Sequence, residues 1–124
     1  MKQALTGLTL AVALALAVPA YSHEVSKGAQ AITGEIVDTG CFLAHMGQGA
    51  KHVECATKCI SGGMPMGVLT RQGTLYLVTM NHDNADSYNK LKSMAGKKLT
   101  VMGQIYSRGG MKAIEIIGFR PARA

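Results

Sequence analysis

The chain has 124 residues and a formal charge of +6, with 13 lysines and arginines against 7 acidic residues. That length suits one small domain with one core rather than several domains. The moderate positive charge aids solubility and attraction to anionic surfaces, but it does not specify nucleic acid. Three cysteines are an odd number, which excludes a framework in which every thiol is paired within the chain.

The first twenty residues are predicted to be a secretory signal peptide, 1–20. An apolar run over 8–18 is about 11 residues long, short of the roughly 20 that a membrane-spanning helix needs. Small residues then offer cleavage after Ala20 or Ser22. We expect residues 21–30 to be a flexible segment and no membrane span to remain after cleavage. The protein would then be periplasmic or secreted, in an oxidising compartment.

The rest of the chain is predicted to form a mainly β domain over 31–120, an OB-fold-like barrel of five strands with two helices. Alternating apolar residues and turn signals place strands over 31–37, 68–70, 74–80, 97–106 and 111–119. Helical spacing predicts helices over 50–60 and 85–95. A helix between the third and fourth strands is the element order of the OB-fold. Gly34 and Gly103 are expected where strands bend. The predicted core comprises Ile36, Leu69, Leu75, Leu77, Leu91, Val101, Ile105 and Ile114.

All three cysteines lie in the insert 38–67 that joins the first two strands. A helix over 50–60 places His52, Cys55 and Cys59 at i, i+3 and i+7, which is one stripe of its surface. Cys41 precedes that helix and would have to fold back over it. Zinc and copper both accept thiolate and imidazole ligands. The insert therefore predicts a copper or zinc site formed by Cys41, His52, Cys55 and Cys59.

Further residues are candidate accessory ligands. His45 lies in the same insert, and Met64 and Met66 are thioethers that would suit Cu(I) if they fold over the site. Asp38 could orient a histidine ligand. His23 would be third in the chain after cleavage at Ala20, a position suited to Cu(II) or Ni(II) when the terminal amine and amides also bind.

Two other uses of the thiols remain open from the sequence. A disulfide from Cys41 to Cys55 or Cys59 would close a loop of about 15 to 19 residues, which is worth roughly 3 kcal/mol. Cys55 and Cys59, one helical turn apart, could also pair with some strain. The protein would then be a disulfide-stapled OB domain that binds a protein, a glycan or another ligand on its barrel. The third use is thiol-redox or catalytic chemistry, with His52 near Cys55 as a base. No nucleophile elbow or substrate pocket is evident, so a binding module is favoured over an enzyme.

The insert also carries a motif that resembles a family of small exported bacterial OB-fold-like proteins. The motif is D-x-x-C, G-x-x-H-x-x-C-A-x-x-C and G-x-P-x-G-x-L, read here as Asp38, Cys41, Gly49, His52, Cys55, Ala56, Cys59, Gly63, Pro65, Gly67 and Leu69. The resemblance implies an OB-like fold and one functional unit for the cysteines and His52, and it implies no particular activity. His45 lies outside the motif.

Partners are expected to be an unidentified protein or a metal donor or acceptor. The lysines near the second helix and fourth strand could suggest a nucleic-acid surface, since OB-folds often bind single strands. The chain has only six aromatic residues and no tryptophan, however, so stacking platforms are scarce. We expect no specific nucleic-acid binding, and we interpret these lysines as a solvated face: Lys90, Lys92, Lys97 and Lys98.

Overall fold

The computed structural model describes residues 28–123, in which five strands close into a barrel. The strands are β1 (Ala29–Asp38), β2 (Met66–Thr70), β3 (Leu75–Met80), β4 (Lys98–Arg108) and β5 (Met111–Pro121). Their order around the barrel is β1-β2-β3-β5-β4. The β3–β5 pair is parallel, and the other four pairs are antiparallel. The predicted OB-fold-like barrel is confirmed, including the helical insert with the cysteines between β1 and β2.

Three helices accompany the barrel within residues 28–123, where the sequence predicted two. They are α1 (Thr39–His45), α2 (Val53–Ser61) and α3 (Asp86–Leu91). Short 3-10 turns, Ala50–His52 and Lys92–Met94, precede α2 and follow α3. The unexpected helix is α1. It forms because Asp38 ends β1 in an extended conformation, and its side chain accepts hydrogen bonds from the backbone amides of Gly40 and Cys41 in the first turn of the helix.

The barrel interior is filled from all five strands, with α2 and α3 adding to it. Its buried side chains include Ile36, Val68, Val78, Leu91, Leu99, Val101, Ile114 and Ile116. Five of the eight predicted core residues are buried, and Ile105 packs partly buried against the interior.

The prediction for β3 is wrong about which face points inward. Tyr76 and Val78 pack against the interior, whereas Leu75 and Leu77 are half-buried on the outer face. Leu75 pairs with Leu69, which is also buried outside the main cluster. Both faces of this strand carry apolar side chains, so alternation alone does not decide its orientation.

At two glycines, the backbones of neighbouring strands approach each other closely. At Gly103 the β4–β5 ladder shifts register, and a Cβ there would overlap the carbonyl oxygen of Glu115. Gly34 pairs with both β2 and β4, and a Cβ there would overlap the carbonyl oxygen of Leu69. The sequence predicted bends at both glycines, and the structure shows an irregular ladder at Gly103 and a close backbone approach at Gly34.

The two ends of the insert are hydrogen-bonded to each other, and its second helix packs on the barrel. The backbone amide and the hydroxyl of Thr39 each donate a 3.0 Å hydrogen bond to the Pro65 carbonyl oxygen. In α2, Ala56 and Ile60 are buried in the barrel core, which leaves the exposed face to residues such as Glu54 and Lys58. The helices that carry the cysteines therefore have defined positions against the barrel.

Within residues 28–123 no helix is long and apolar enough to cross a membrane. The predicted signal peptide, 1–20, and His23 lie outside the described residues.

Candidate metal centre

Two helices of the insert bring the three cysteine thiols together. Cys41 lies in α1, and Cys55 and Cys59 lie one turn apart in α2. All three Sγ atoms are within 4.8 Å of one another, and those of Cys41 and Cys55 are 3.9 Å apart. In a tetrahedral zinc site, Zn–S bonds of about 2.3 Å place the sulfurs roughly 3.8 Å apart. Small side-chain adjustments would therefore let one ion bind all three thiols.

The chain reversal between α1 and α2 depends on two residues with left-handed backbone. Met46 ends α1 with φ 58°, and its amide donates to the Phe42 carbonyl oxygen at 2.8 Å. Gly49, with φ 75°, then leads into the turn before α2, and its amide donates to the Glu35 carboxylate at 2.6 Å. Glu35 belongs to β1, so this bond fixes the reversal loop to the barrel.

Asp38 lies beneath the thiols at the junction of β1 and α1. Its side chain is buried, with 1% exposure. Oδ1 accepts hydrogen bonds from the amides of Gly40 (2.7 Å) and Cys41 (3.3 Å). Oδ2 is buried and has no hydrogen-bond partner among the described residues. The Cys41 and Cys59 thiols lie against this carboxylate, but neither gives Oδ2 a well-formed hydrogen bond.

The carboxylate and the thiols shift one another's pKa values. Burial by itself would raise the pKa of Asp38, but the contacts from the Cys41 thiol, the Gly40 amide and the Cys59 thiol outweigh it, so the pKa is lowered. The Asp38 carboxylate, with help from burial and the Cys55 thiol, raises the pKa of Cys41 to about 12. The same causes raise the pKa of Cys59. Without a metal, Cys41 and Cys59 are therefore protonated at neutral pH.

The structure does not bring His52 into the thiol group. Among residues 28–123, the ligand atoms that lie within 4.8 Å of one another are those of the three cysteines, and neither His52 nor Asp38 belongs to this group. His52 and Cys41 both approach Gly47, where a Cβ would be 3.0 Å from Cys41 Cβ and 3.2 Å from His52 Nδ1. That Nδ1 is buried without a hydrogen-bond partner among residues 28–123. The His52 ring packs against that of His45, with centroids 5.3 Å apart.

The predicted accessory ligands are scattered. Met64 is 42% exposed, and its methyl group lies over Gly40, beside the Asp38 turn. Met66 is fully buried in the barrel core, because it belongs to β2 and pairs there with Asp38. His45 is exposed at the end of α1. Of the accessory candidates, Asp38 is the one whose carboxylate faces the thiols.

Asp38 has a larger part in the site than the accessory role that the sequence predicts for it. A signal for it was present, since an aspartate three residues before a cysteine can cap a short helix and face that cysteine. The seven residues of α1 are too few for a clear helical period, so this signal was not used.

The site is open to solvent on one side. Cys55 is exposed, whereas Cys41 and Cys59 are partly covered. An ion could therefore enter or leave past Cys55 without unfolding of the insert.

This chain matches no protein-family model, no curated protein and no solved structure. Its fold and site define the class to which it is assigned here: a closed five-stranded barrel whose helical insert presents three thiols compatible with metal binding. The resemblance to small exported bacterial proteins stays a prediction from the motif.

Proposed function

We propose that this protein is an exported module that binds one thiophilic metal ion, zinc or copper, between Cys41, Cys55 and Cys59. The observation that carries the proposal is the approach of all three Sγ atoms to within 4.8 Å of one another. Two of these thiols come from one helix and the third from another, so local sequence spacing alone does not account for the group.

The positions of the two helices are set by contacts other than the thiols. Thr39 fixes the start of α1 to Pro65, while Ala56 and Ile60 fix α2 in the core. A site held in this way loses little conformational entropy on metal binding, which favours affinity. Metal binding also accounts for the third thiol, because one ion can be coordinated by all three cysteines whereas a disulfide uses only two.

Export is supported by the N-terminal sequence pattern alone. In an oxidising compartment an exposed thiol such as Cys55 is vulnerable, and metal coordination protects it. The exposure of Cys55 also suits exchange of the ion with a donor or acceptor protein. We propose no enzymatic activity for the site.

One distance favours a second function. The 3.9 Å between the Cys41 and Cys55 Sγ atoms could close to a disulfide bond of about 2.05 Å with modest side-chain rotation. Cys59 would then be a third thiol able to attack that bond, as in thiol–disulfide exchange. The protein would be a stapled barrel or a thiol-redox protein in place of a metal module.

Native mass spectrometry of the exported, purified protein distinguishes these functions. We expect one bound metal per chain under mild reducing conditions. Cys55→Ser and Cys59→Ser should abolish stoichiometric binding, and Lys58→Ala is the matched control, because Lys58 is exposed on the same helix. Absence of metal under reducing conditions, with a quantitative Cys41–Cys55 disulfide by non-reducing peptide mapping, would refute the metal function.

A further inference from the structure

A buried carboxylate oxygen without a hydrogen-bond partner requires an explanation. Stripping such a group of water is costly, so nearly all buried polar atoms in folded proteins have a partner. Asp38 Oδ2 has none among the described residues, although the residue is only 1% exposed. Its location beneath three thiols points to a ligand that occupies the space between them.

The capping of α1 explains only half of this side chain. The Gly40 and Cys41 amides both bind Oδ1, which satisfies the helix and fixes the plane of the carboxylate. A serine or threonine would cap equally well with a single oxygen. The second oxygen is thus held in a defined direction. The Cys41 and Cys59 thiols lie against the carboxylate, but neither gives this oxygen a well-formed hydrogen bond.

We propose that Asp38 Oδ2 is the fourth ligand of the three-thiol site, and that the site consequently selects a divalent ion of the zinc class over Cu(I). This inference rests on the proposed metal-binding function. The assignment replaces His52 as the fourth ligand. Neither the Asp38 carboxylate nor the His52 imidazole is in the group of ligand atoms within 4.8 Å of one another, but the carboxylate contacts the Cys41 and Cys59 thiols.

Charge and ligand softness give the selectivity. Three thiolates and a carboxylate carry four negative charges, so a divalent ion leaves a net charge of −2, equal to that of a zinc site with four thiolates. Cu(I) would leave −3, and its soft character disfavours a carboxylate oxygen. A zinc–oxygen bond of about 2.0–2.2 Å would also neutralise the buried carboxylate.

Cobalt(II) is a suitable probe, because it takes tetrahedral zinc sites and has visible absorption. The reduced full chain would be titrated with Co²⁺, the cobalt displaced with Zn²⁺, and Cu(I) affinity measured separately with a competing chelator. Asp38→Asn keeps an oxygen for the helix cap but loses the anionic donor. We expect the thiolate-to-cobalt bands to persist in this variant, the d–d bands to shift, and zinc affinity to fall by roughly tenfold or more. Cu(I) affinity should not fall, because the variant removes one negative charge and no ligand that Cu(I) prefers.

His52→Ala is the matched control, and it should leave the cobalt spectrum unchanged. Should Asp38→Asn fail to fold by circular dichroism, X-ray absorption on the zinc-loaded wild type and His52→Ala proteins gives the answer. Three sulfurs and one light atom in both proteins would support the assignment.

Wild-type zinc affinity and spectra in a folded Asp38→Asn protein would overturn the role of Asp38 and leave the metal module intact. Preference of the wild type for Cu(I) over zinc would do the same. If the reduced wild type bound neither Zn²⁺, Co²⁺ nor Cu(I), the proposed function itself would fall, and this inference with it.

Discussion

The Cys41 amide donates a 3.3 Å hydrogen bond to the carboxylate of Asp38, so the residue that begins α1 also faces the first thiol of the site. The same carboxylate accepts from Gly40 at 2.7 Å. Formation of this helix and placement of Cys41 are therefore a single local event. Loss of the cap should disturb the thiol group even before any metal binds.

This coupling can be measured in the reduced, metal-free protein. Asp38→Ala removes the cap of α1, and we expect it to lower the free energy of unfolding by about 1 kcal/mol or more relative to Asp38→Asn, which keeps a capping oxygen. Urea denaturation of both variants provides the comparison. Equal stability of the two would show that the cap contributes little.

Alkaline pH should destabilise the reduced, metal-free protein. The pKa of Cys41 is raised from 9.0 to about 12 on folding, and that of Cys59 is also raised. A raised folded pKa contributes stability that is complete below the unfolded value and is lost as the pH rises from 9 towards 12. Melting temperatures between pH 7 and 11 with a reductant should therefore fall more steeply for the wild type than for Cys41→Ser. Parallel curves for the two proteins would contradict this.

Acid should destabilise the reduced, metal-free protein by protonating Asp38. Its folded pKa is lowered from 3.8, so its contribution is present above that value and is lost as the pH falls through the folded pKa. Thermal melts of wild type and Asp38→Asn below pH 4 provide the measurement. As the pH falls, the melting temperature should decrease more for the wild type than for the variant. An identical decrease in both proteins would argue against the lowered pKa.

Two isoleucines of β5 test the barrel core. Ile114 is fully buried and Ile117 is 52% exposed. Truncation of Ile114 to Ala should cost about 2–4 kcal/mol, from lost burial and the cavity left behind. Ile117→Ala should stay within about 0.5 kcal/mol of the wild type. Denaturant midpoints compare the two, and a large effect at Ile117 would place that side chain in an interface.

Two glycines of the β4–β5 pair test the register shift. A methyl group on Gly103 would overlap the Glu115 carbonyl oxygen, whereas one on Gly118 would meet only the end of Met102 at 3.4 Å. Gly103→Ala should therefore cost about 1–3 kcal/mol or more, and Gly118→Ala much less. Chemical denaturation again measures both. Equal stability of the two variants would mean that β4 and β5 can move apart at the register shift without a loss of folding free energy.

Much of the barrel could be predicted from local patterns. The alternating residues of β4 and β5 predicted the inward positions of Val101 and Ile114, and both are buried. The same reasoning failed on β3, where Leu75 and Leu77 alternate with equally apolar neighbours. Alternation of residues shows which face of a strand points inward only when the other face is polar.

The helices show the same limit. The stripe of Cys55 and Cys59 was predicted, because an i, i+4 pair is a property of any helix. Helix α1 was not, since its seven residues include Gly40 and contain no apolar repeat. Its existence depends on one side-chain cap.

The sequence by itself determined the five strands, the helical stripe of Cys55 and Cys59, and the concentration of all thiols in one insert. These features depend on residues close together in the chain, where side-chain alternation and backbone preference act. Only the tertiary structure decided that Cys41 reaches Cys55 and that Asp38, rather than His52, faces the thiols. Those outcomes depend on contacts across the fold, between Thr39 and Pro65 and between Glu35 and Gly49. Hydrogen bonds between residues so distant in sequence leave no local pattern from which they could be predicted.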